Sequence, residues 1–278
     1  MKILLTGTAG FIGYHLSKEL LERNFDILGI DNLNDYYDIG LKLDRLKILE
    51  SYDNFNFIKA DISDLDQMTQ VFRNFNPEKV VNLAAQPGVR YSLINPFAYL
   101  NSNLVGFLNI IELCKDFKIN GLIYASSSSI YGGNKKTPFN IKDKADLPLS
   151  LYGATKRCNE LIAHSYSHIH NLHTTALRFF TVYGPWYRPD MGMYIFTKKI
   201  IENEPIPVFN NGKMNEGITS TNLGLKGISN IAEEIMVDRD LNLAKYTGGN
   251  LHLSYISAKE SIKKIKISKK EGVNITAD

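Results

Sequence analysis

Lys2-Ile-Leu-Leu-Thr-Gly-Thr-Ala-Gly-Phe-Ile-Gly13 decides the fold. Lys2 to Thr6 is a short, largely apolar run ended by glycine, which reads as a buried strand. From Phe11 to Arg23 the apolar residues Phe11, Ile12, Leu16 and Leu20 recur at helical spacing. Between strand and helix stand Gly7, Gly10 and Gly13, three residues apart. At such a junction the first glycine permits a sharp turn, the second lets the backbone approach a pyrophosphate, and the third lets helix and strand pack closely. The helix N-terminus then faces the anion. Asp31 follows the next predicted strand, Asp26 to Ile30. An acid there suits the ribose hydroxyls of a dinucleotide and repels a 2′-phosphate, so NAD is expected over NADP. Asp61, after the third strand, is a further candidate, for the adenine; a turn or helix-capping aspartate reads equally well there.

Outward from this unit the pattern repeats. Asn56 to Lys59, Lys79 to Leu83, Gly121 to Ala125 and His173 to Phe179 read as strands. Leu65 to Asn74, Phe97 to Phe117 and Tyr152 to His168 read as helices. Strands alternating with helices predict an α/β fold, a doubly wound parallel sheet (Rossmann-like). The expected division is an NAD-binding domain over 1–180 and a small, incomplete or atypical substrate lobe over 181–278. The chain has 278 residues, 44% hydrophobic and 22% charged, enough for a sizeable core and unlike a disordered chain. A net charge of +3 gives no reason to expect a nucleic-acid partner. No apolar run in the sequence reads as a membrane span and the N-terminus does not read as a signal peptide. Two cysteines, Cys114 and Cys158, suit a reduced, cytoplasmic chain.

Tyr152-Gly-Ala-Thr-Lys156 puts a phenol and an ammonium one helical turn apart. The ammonium and a positive nicotinamide would favour the phenolate, making Tyr152 a general base near neutral pH. Ser126 to Ser129 close a predicted strand, where loops line the crevice of a doubly wound sheet. A hydroxyl there can bond the same substrate oxygen as Tyr152. His164, His168, His170 and His173 crowd together, but no cysteine or carboxylate cluster joins them, so no metal is expected. Cys158 reads as a small hydrophobe and the lysines of Ser261 to Lys270 as a solvated face.

With these blocks the chain resembles the extended short-chain dehydrogenase/reductase family, in its nucleotide-sugar branch. Three longer stretches make it similar to UDP-glucuronate 4-epimerases: Gly29 to Asp38, Asn82 to Ser92, and Arg178-Phe-Phe-Thr-Val-Tyr-Gly-Pro-Trp186 with Arg188-Pro-Asp-Met191. The resemblance covers residues 1 to about 214. It implies NAD as cofactor, a UDP-sugar as partner, a homodimer as one assembly, and reversible epimerisation at C4 of a UDP-hexuronic acid through a 4-keto sugar. Ser127, Tyr152 and Lys156 would be catalytic, with Lys156 also on the nicotinamide ribose. Gly7, Gly10, Phe11, Ile12, Gly13, Asp31, Asn32, Asp61, Ile62, Leu83, Ala84 and Ala85 would hold the cofactor. Gln86, Arg90, Ser128, Ser129, Thr181 and Arg188 would face the substrate, the two serines on the uronate carboxylate. Related 4,6-dehydratases carry Asp-Glu where Ser128 and Ser129 stand, and uronate decarboxylases carry Glu at the second position. Elimination needs an acid and a base there, so this chain points to epimerisation. A UDP-glucose/galactose 4-epimerase and a non-catalytic NAD-binding remnant are the alternatives.

The pattern breaks after Asn210 to Met214. Relatives continue with an Arg-Asp-Phe-Thr-Tyr-Ile-Asp-Asp block whose arginine would meet the diphosphate; here Asn215 to Asn222 follow, with Glu216 at the arginine's place. A carboxylate repels a diphosphate. Gly227-Ile228 is the one later fragment that aligns with relatives. Of 30 aromatic residues only Tyr246 and Tyr255 lie beyond Met214. A frame shift after Met214, or a divergent but functional lobe, would produce this; with the arginine replaced by Glu216, weak UDP-sugar binding and poor turnover are expected.

Overall fold

The computed structural model describes residues 1–134, 138–205, 230–253, 256 and 258–277. They fall into two compact units, Met1–Tyr187 and Arg188–Asp278.

The first unit holds six parallel strands: β1 (Lys2–Thr6), β2 (Asp26–Asp31), β3 (Phe55–Lys59), β4 (Lys79–Asn82), β5 (Leu122–Ser127) and β6 (Thr174–Phe179). Their order is β3-β2-β1-β4-β5-β6. Parallel strands need crossovers, and helices supply them: α1 (Phe11–Glu22), α2 (Ile39–Leu49), α3 (Leu65–Phe75), α4 (Pro96–Tyr99) with α5 (Gly106–Asp116), and α6 (Leu151–His170). A π-helical turn, Leu100–Val105, joins α4 to α5. Side chains alternate along β1, and both faces are buried. Leu4 enters one core with Met68, Phe72, Ile110 and Ile111; Ile3 and Leu5 enter the other with Tyr14, Leu21, Leu46 and Leu49. Each fully buried aliphatic side chain contributes about 1.5–3 kcal/mol. The chain changes direction across the sheet between β1 and β4, which opens a crevice at the strands' carboxyl ends.

α2 was not expected from apolar spacing. Its buried face carries Lys42 and Arg45 beside Leu46 and Leu49, so polar residues stand where a helical pattern would show apolar ones. Its start is set by Asp38, whose carboxylate accepts from the Gly40 N–H. The stretch Pro96–Asp116 is long and apolar enough to cross a membrane, contrary to the sequence reading that no run is. Its place between β4 and β5, with Phe107, Ile110, Ile111 and Cys114 buried in the core, makes it a packed helix of the sheet.

The second unit contains α7 (Gly192–Ile201), α8 (Asn230–Thr247), β7 (Leu251–Leu253), α9 (Lys259–Lys270) and β8 (Ile275–Ala277). β7 and β8 pair in parallel, joined through α9. Ile200, Val237, Leu241, Ala244, Leu251, Leu253, Ile265, Val273 and Ile275 form its core. On α9, Ser261 and Ile265 are buried while most of the lysines are exposed. Asn210 to Asn222, with Glu216, and Gly227-Ile228 lie outside the described residues.

Candidate active site

The residues singled out in the first unit cluster at the carboxyl ends of its six parallel strands. Gly7 follows β1, Asp31 ends β2, Asp61 follows β3, Leu83 to Gln86 follow β4, Ser127 ends β5 and Thr181 follows β6. Gly7 has φ +74°, and a Cβ on it would lie 2.7 Å from the Ala84 backbone nitrogen. Both the left-handed turn and the close approach of β1 to β4 demand glycine. A Cβ on Gly13 would lie 2.0 Å from the Gly7 carbonyl oxygen, so the loop folds directly against the first turn of α1.

Gly10 caps α1 without a side-chain acceptor, so the first-turn N–H groups, Phe11 to Gly13, are left for an anion. The Asp31 carboxylate accepts from the Ala9 N–H (3.1 Å) and the Leu33 N–H (2.9 Å), fixing an acid at the end of β2. Burial pushes its carboxyl up; these N–H groups and the Lys42 and Arg45 cations only partly offset that. Asn32 donates to Asp61 (2.8 Å), and Ser63 donates to Asp61 through N–H (2.8 Å) and Oγ (2.6 Å). Burial raises the Asp61 pKa, but these bonds outweigh it and hold the carboxyl below its ordinary value. Ile62 is a core side chain whose carbonyl accepts from Asn109 (3.0 Å). Leu83 packs on the second core and Ala84 N–H donates to Thr6 Oγ1 (3.1 Å). The arrangement fits NAD: anion donors at α1 and a carboxylate at β2.

The proton-handling side is built by α6. Ser150 caps it, accepting from Gly153 N–H at 3.0 Å, and places Tyr152 in the first turn. Tyr152 is half-buried, its ring edge-on to Tyr99 at 6.2 Å. Lys156 is buried, its Nζ donating to the Ala125 carbonyl at 3.0 Å. Burial lowers its pKa to about 8. Ser127 Oγ accepts from the Ser129 N–H (3.2 Å) and lies 3.2 Å from Ser129 Oγ; Ser128 and Ser129 form the short 3-10 turn after β5. Gln86 is buried, and Thr181 and Arg90 are exposed, Arg90 just before a 3-10 turn at Tyr91–Leu93. Arg188 belongs to the second unit, where Asp190 pairs with it through two hydrogen bonds, 2.9 and 2.7 Å. Among the described residues no group of His, Cys, Asp and Glu could hold a metal ion.

Three residues of this region escaped the sequence reading. Asn103 lies in the π-helical turn, buried. Its Oδ1 accepts from Gln86 N–H (2.8 Å) and its Nδ2 donates to Gln86 O (3.2 Å) and Thr155 Oγ1 (3.1 Å), tying the β4 loop to α6. Nothing in a one-dimensional pattern marks a π turn. Buried Glu160 and half-buried Arg178 form an ion pair joining α6 to β6; Arg178 opens one of the quoted stretches, but nothing in the sequence pairs it with Glu160.

Residues 3–215 match the profile of the family described as the NAD dependent epimerase/dehydratase family. The protein CapI of Staphylococcus aureus is 53% identical over 234 residues, 84% of this chain and 70% of that one. UDP-glucuronate 4-epimerase 4 of Arabidopsis thaliana is 48% identical over 208 residues, 74% of this chain and 47% of that one. The crystal structure of UDP-glucuronic acid 4-epimerase from Bacillus cereus, in complex with UDP-glucuronic acid and NAD, superposes with a TM-score of 0.71 at 37% identity, covering 76% of this chain and 67% of that one. Sequence and fold agree, and the chain belongs to the NAD-dependent epimerase/dehydratase family.

Proposed function

We infer that this chain interconverts the C4 epimers of a UDP-hexuronic acid, UDP-glucuronate and UDP-galacturonate. The observation that carries the reading is the Ser127–Tyr152–Lys156 set at the end of β5 and the start of α6, followed by hydroxyls, Ser128 and Ser129, in place of carboxylates. Bound NAD supplies the hydride acceptor and donor for C4. Tyr152 takes the proton of the 4-hydroxyl and returns it after the keto sugar has turned over. Lys156, charged below about pH 8, favours the phenolate. Ser127 donates to the same oxygen. Ser128 and Ser129 hold the uronate carboxylate without acting as acid or base, which keeps water elimination and decarboxylation out of reach. Leu93, Ile94 and Phe97, apolar side chains within five residues of one another, are exposed by 81%, 77% and 70%, which supports a homodimer. Cys114 and Cys158 are unbonded, as a cytoplasmic chain would have them.

Purified protein incubated separately with UDP-glucuronate and UDP-galacturonate should reach the same mixture from both sides. Interconversion of UDP-glucose and UDP-galactose at an equal or greater rate would instead favour a neutral-sugar epimerase.

A further inference from the structure

Glu160 stands on α6 two turns beyond Tyr152, with its side chain only 7% exposed. Four donors saturate its carboxylate. Oε1 accepts from Ser126 Oγ (2.6 Å) and Arg178 Nε (2.9 Å); Oε2 accepts from Arg178 Nη2 (2.9 Å) and Arg157 Nη1 (3.0 Å). Ser126 sits on β5 directly before Ser127, and Arg178 sits on β6 three residues before Thr181. One carboxylate therefore ties together the three elements that carry the reacting groups. One helical turn nearer Tyr152, Lys156 makes a second tie, to the carbonyl of Ala125. Two ties, at successive residues of β5 and one turn apart on α6, set how far the helix can slide along the strand. Arg178 is held in turn by Tyr131 Oη (2.9 Å) and the Ile141 carbonyl (3.3 Å). Burial would neutralise Glu160, but its bonds to Arg178 and Ser126 outweigh that and keep it ionised.

A buried ion pair is a weak source of stability, because desolvation offsets most of the Coulomb gain. What a bidentate pair provides is fixed geometry. Epimerisation requires the Ser127 and Tyr152 oxygens to converge on one substrate oxygen, where small misplacements cost large factors in rate.

We propose that Glu160 is a positioning residue for the epimerisation, acting through Ser126 and Arg178 to set Tyr152 against Ser127. The inference rests on the reaction proposed above, and its test separates the two. Ser126→Ala removes a single oxygen and leaves the Glu160–Arg178 pair in place. In the full chain it should lower kcat about tenfold while KM and the NAD dissociation constant stay unchanged. The phenolate midpoint of Tyr152, read as the absorbance difference from the same protein carrying Tyr152→Phe, should move by about half a pH unit or more. Ser126→Ala combined with Glu160→Gln should fall no lower than Glu160→Gln alone, since both break one path. An unchanged midpoint with unchanged kcat overturns the inference, as does a loss of NAD affinity in step with kcat, the mark of a merely structural role. If the parent chain converts no uronate, the proposed reaction fails, and the Tyr152 midpoint alone still decides the positioning role.

Discussion

The two units of this chain reach a folded core by different means. In Met1–Tyr187 the central strands β1, β2 and β4 of a six-stranded parallel sheet are buried on both faces, while β6 at its edge is largely exposed, and aromatic side chains such as Tyr14, Phe72, Phe107 and Tyr124 fill the layers between sheet and helices. In Arg188–Asp278 a two-stranded parallel pair and its helices close on nine small or aliphatic residues among those described, with no aromatic among the described buried residues. The family match ends at residue 215. The residues proposed for cofactor and proton chemistry lie in the part with the larger core, all of it within the family match, whereas the match reaches into the other part only as far as residue 215 and takes in Arg188 there. The contrast implies that the two functions, holding NAD and holding a UDP-sugar, can be damaged separately.

The largest effect should come from Tyr152→Phe, which ought to lower turnover by about 10²–10⁴-fold, the span of a lost acid–base group. NAD affinity, measured by calorimetry, should stay unchanged, because the phenol oxygen is not among the pyrophosphate's partners. Near-normal turnover in this variant would move the base to another residue.

Next in size is the second unit. A chimera carrying an intact relative's residues after Met214 should exceed the natural chain by about 10–100-fold in kcat/KM, the worth of one to two charge-assisted hydrogen bonds to a diphosphate. Equal values would mean that the natural tail supplies its own cations, and the exposed lysines of α9 are the first to substitute.

Cofactor choice should follow at about tenfold. Asp31 is fixed at the end of β2 by the Ala9 and Leu33 N–H groups and would face a 2′-phosphate, so NAD should bind at least that much more tightly than NADP. Equal titration curves for the two would remove Asp31 from that role.

The smallest effect concerns pH. Folded Lys156 holds its proton only up to about pH 8, whereas an unfolded lysine holds it to about 10.5. Between those values unfolding takes up a proton, so stability rises with pH across that window. Melting curves of the parent should show this rise and those of Lys156→Met should lack it.

Much of the first unit was legible because its signals are local. Three glycines after an apolar run mark a strand, a turn and a helix start, and β1, β2 and β4 are short, largely apolar runs bounded by turn residues. α2 was hidden because Lys42 and Arg45 occupy its inward face. Lys42 Nζ donates to the Asn34 carbonyl (2.7 Å) and Arg45 Nη1 to the Ala9 carbonyl (2.8 Å), partners that no helical periodicity reveals. Asn103 and Glu160 were hidden for the same reason. Their meaning lies in contacts with Gln86 and Thr155, and with Ser126 and Arg178, brought near only by the fold. In the second unit the small apolar residues of α8 and α9 are diluted by charge, so the core formed by Val237, Leu241 and Ile265 emerges only once β7 and β8 pair.

The central claim is that C4 loses a hydrogen and recovers the same one within a single crevice. UDP-glucuronate deuterated at C4, converted by the NAD-loaded chain in ordinary water, tests it most directly. The account predicts UDP-galacturonate that keeps its deuterium at C4. Product whose C4 position has taken up solvent hydrogen would contradict it.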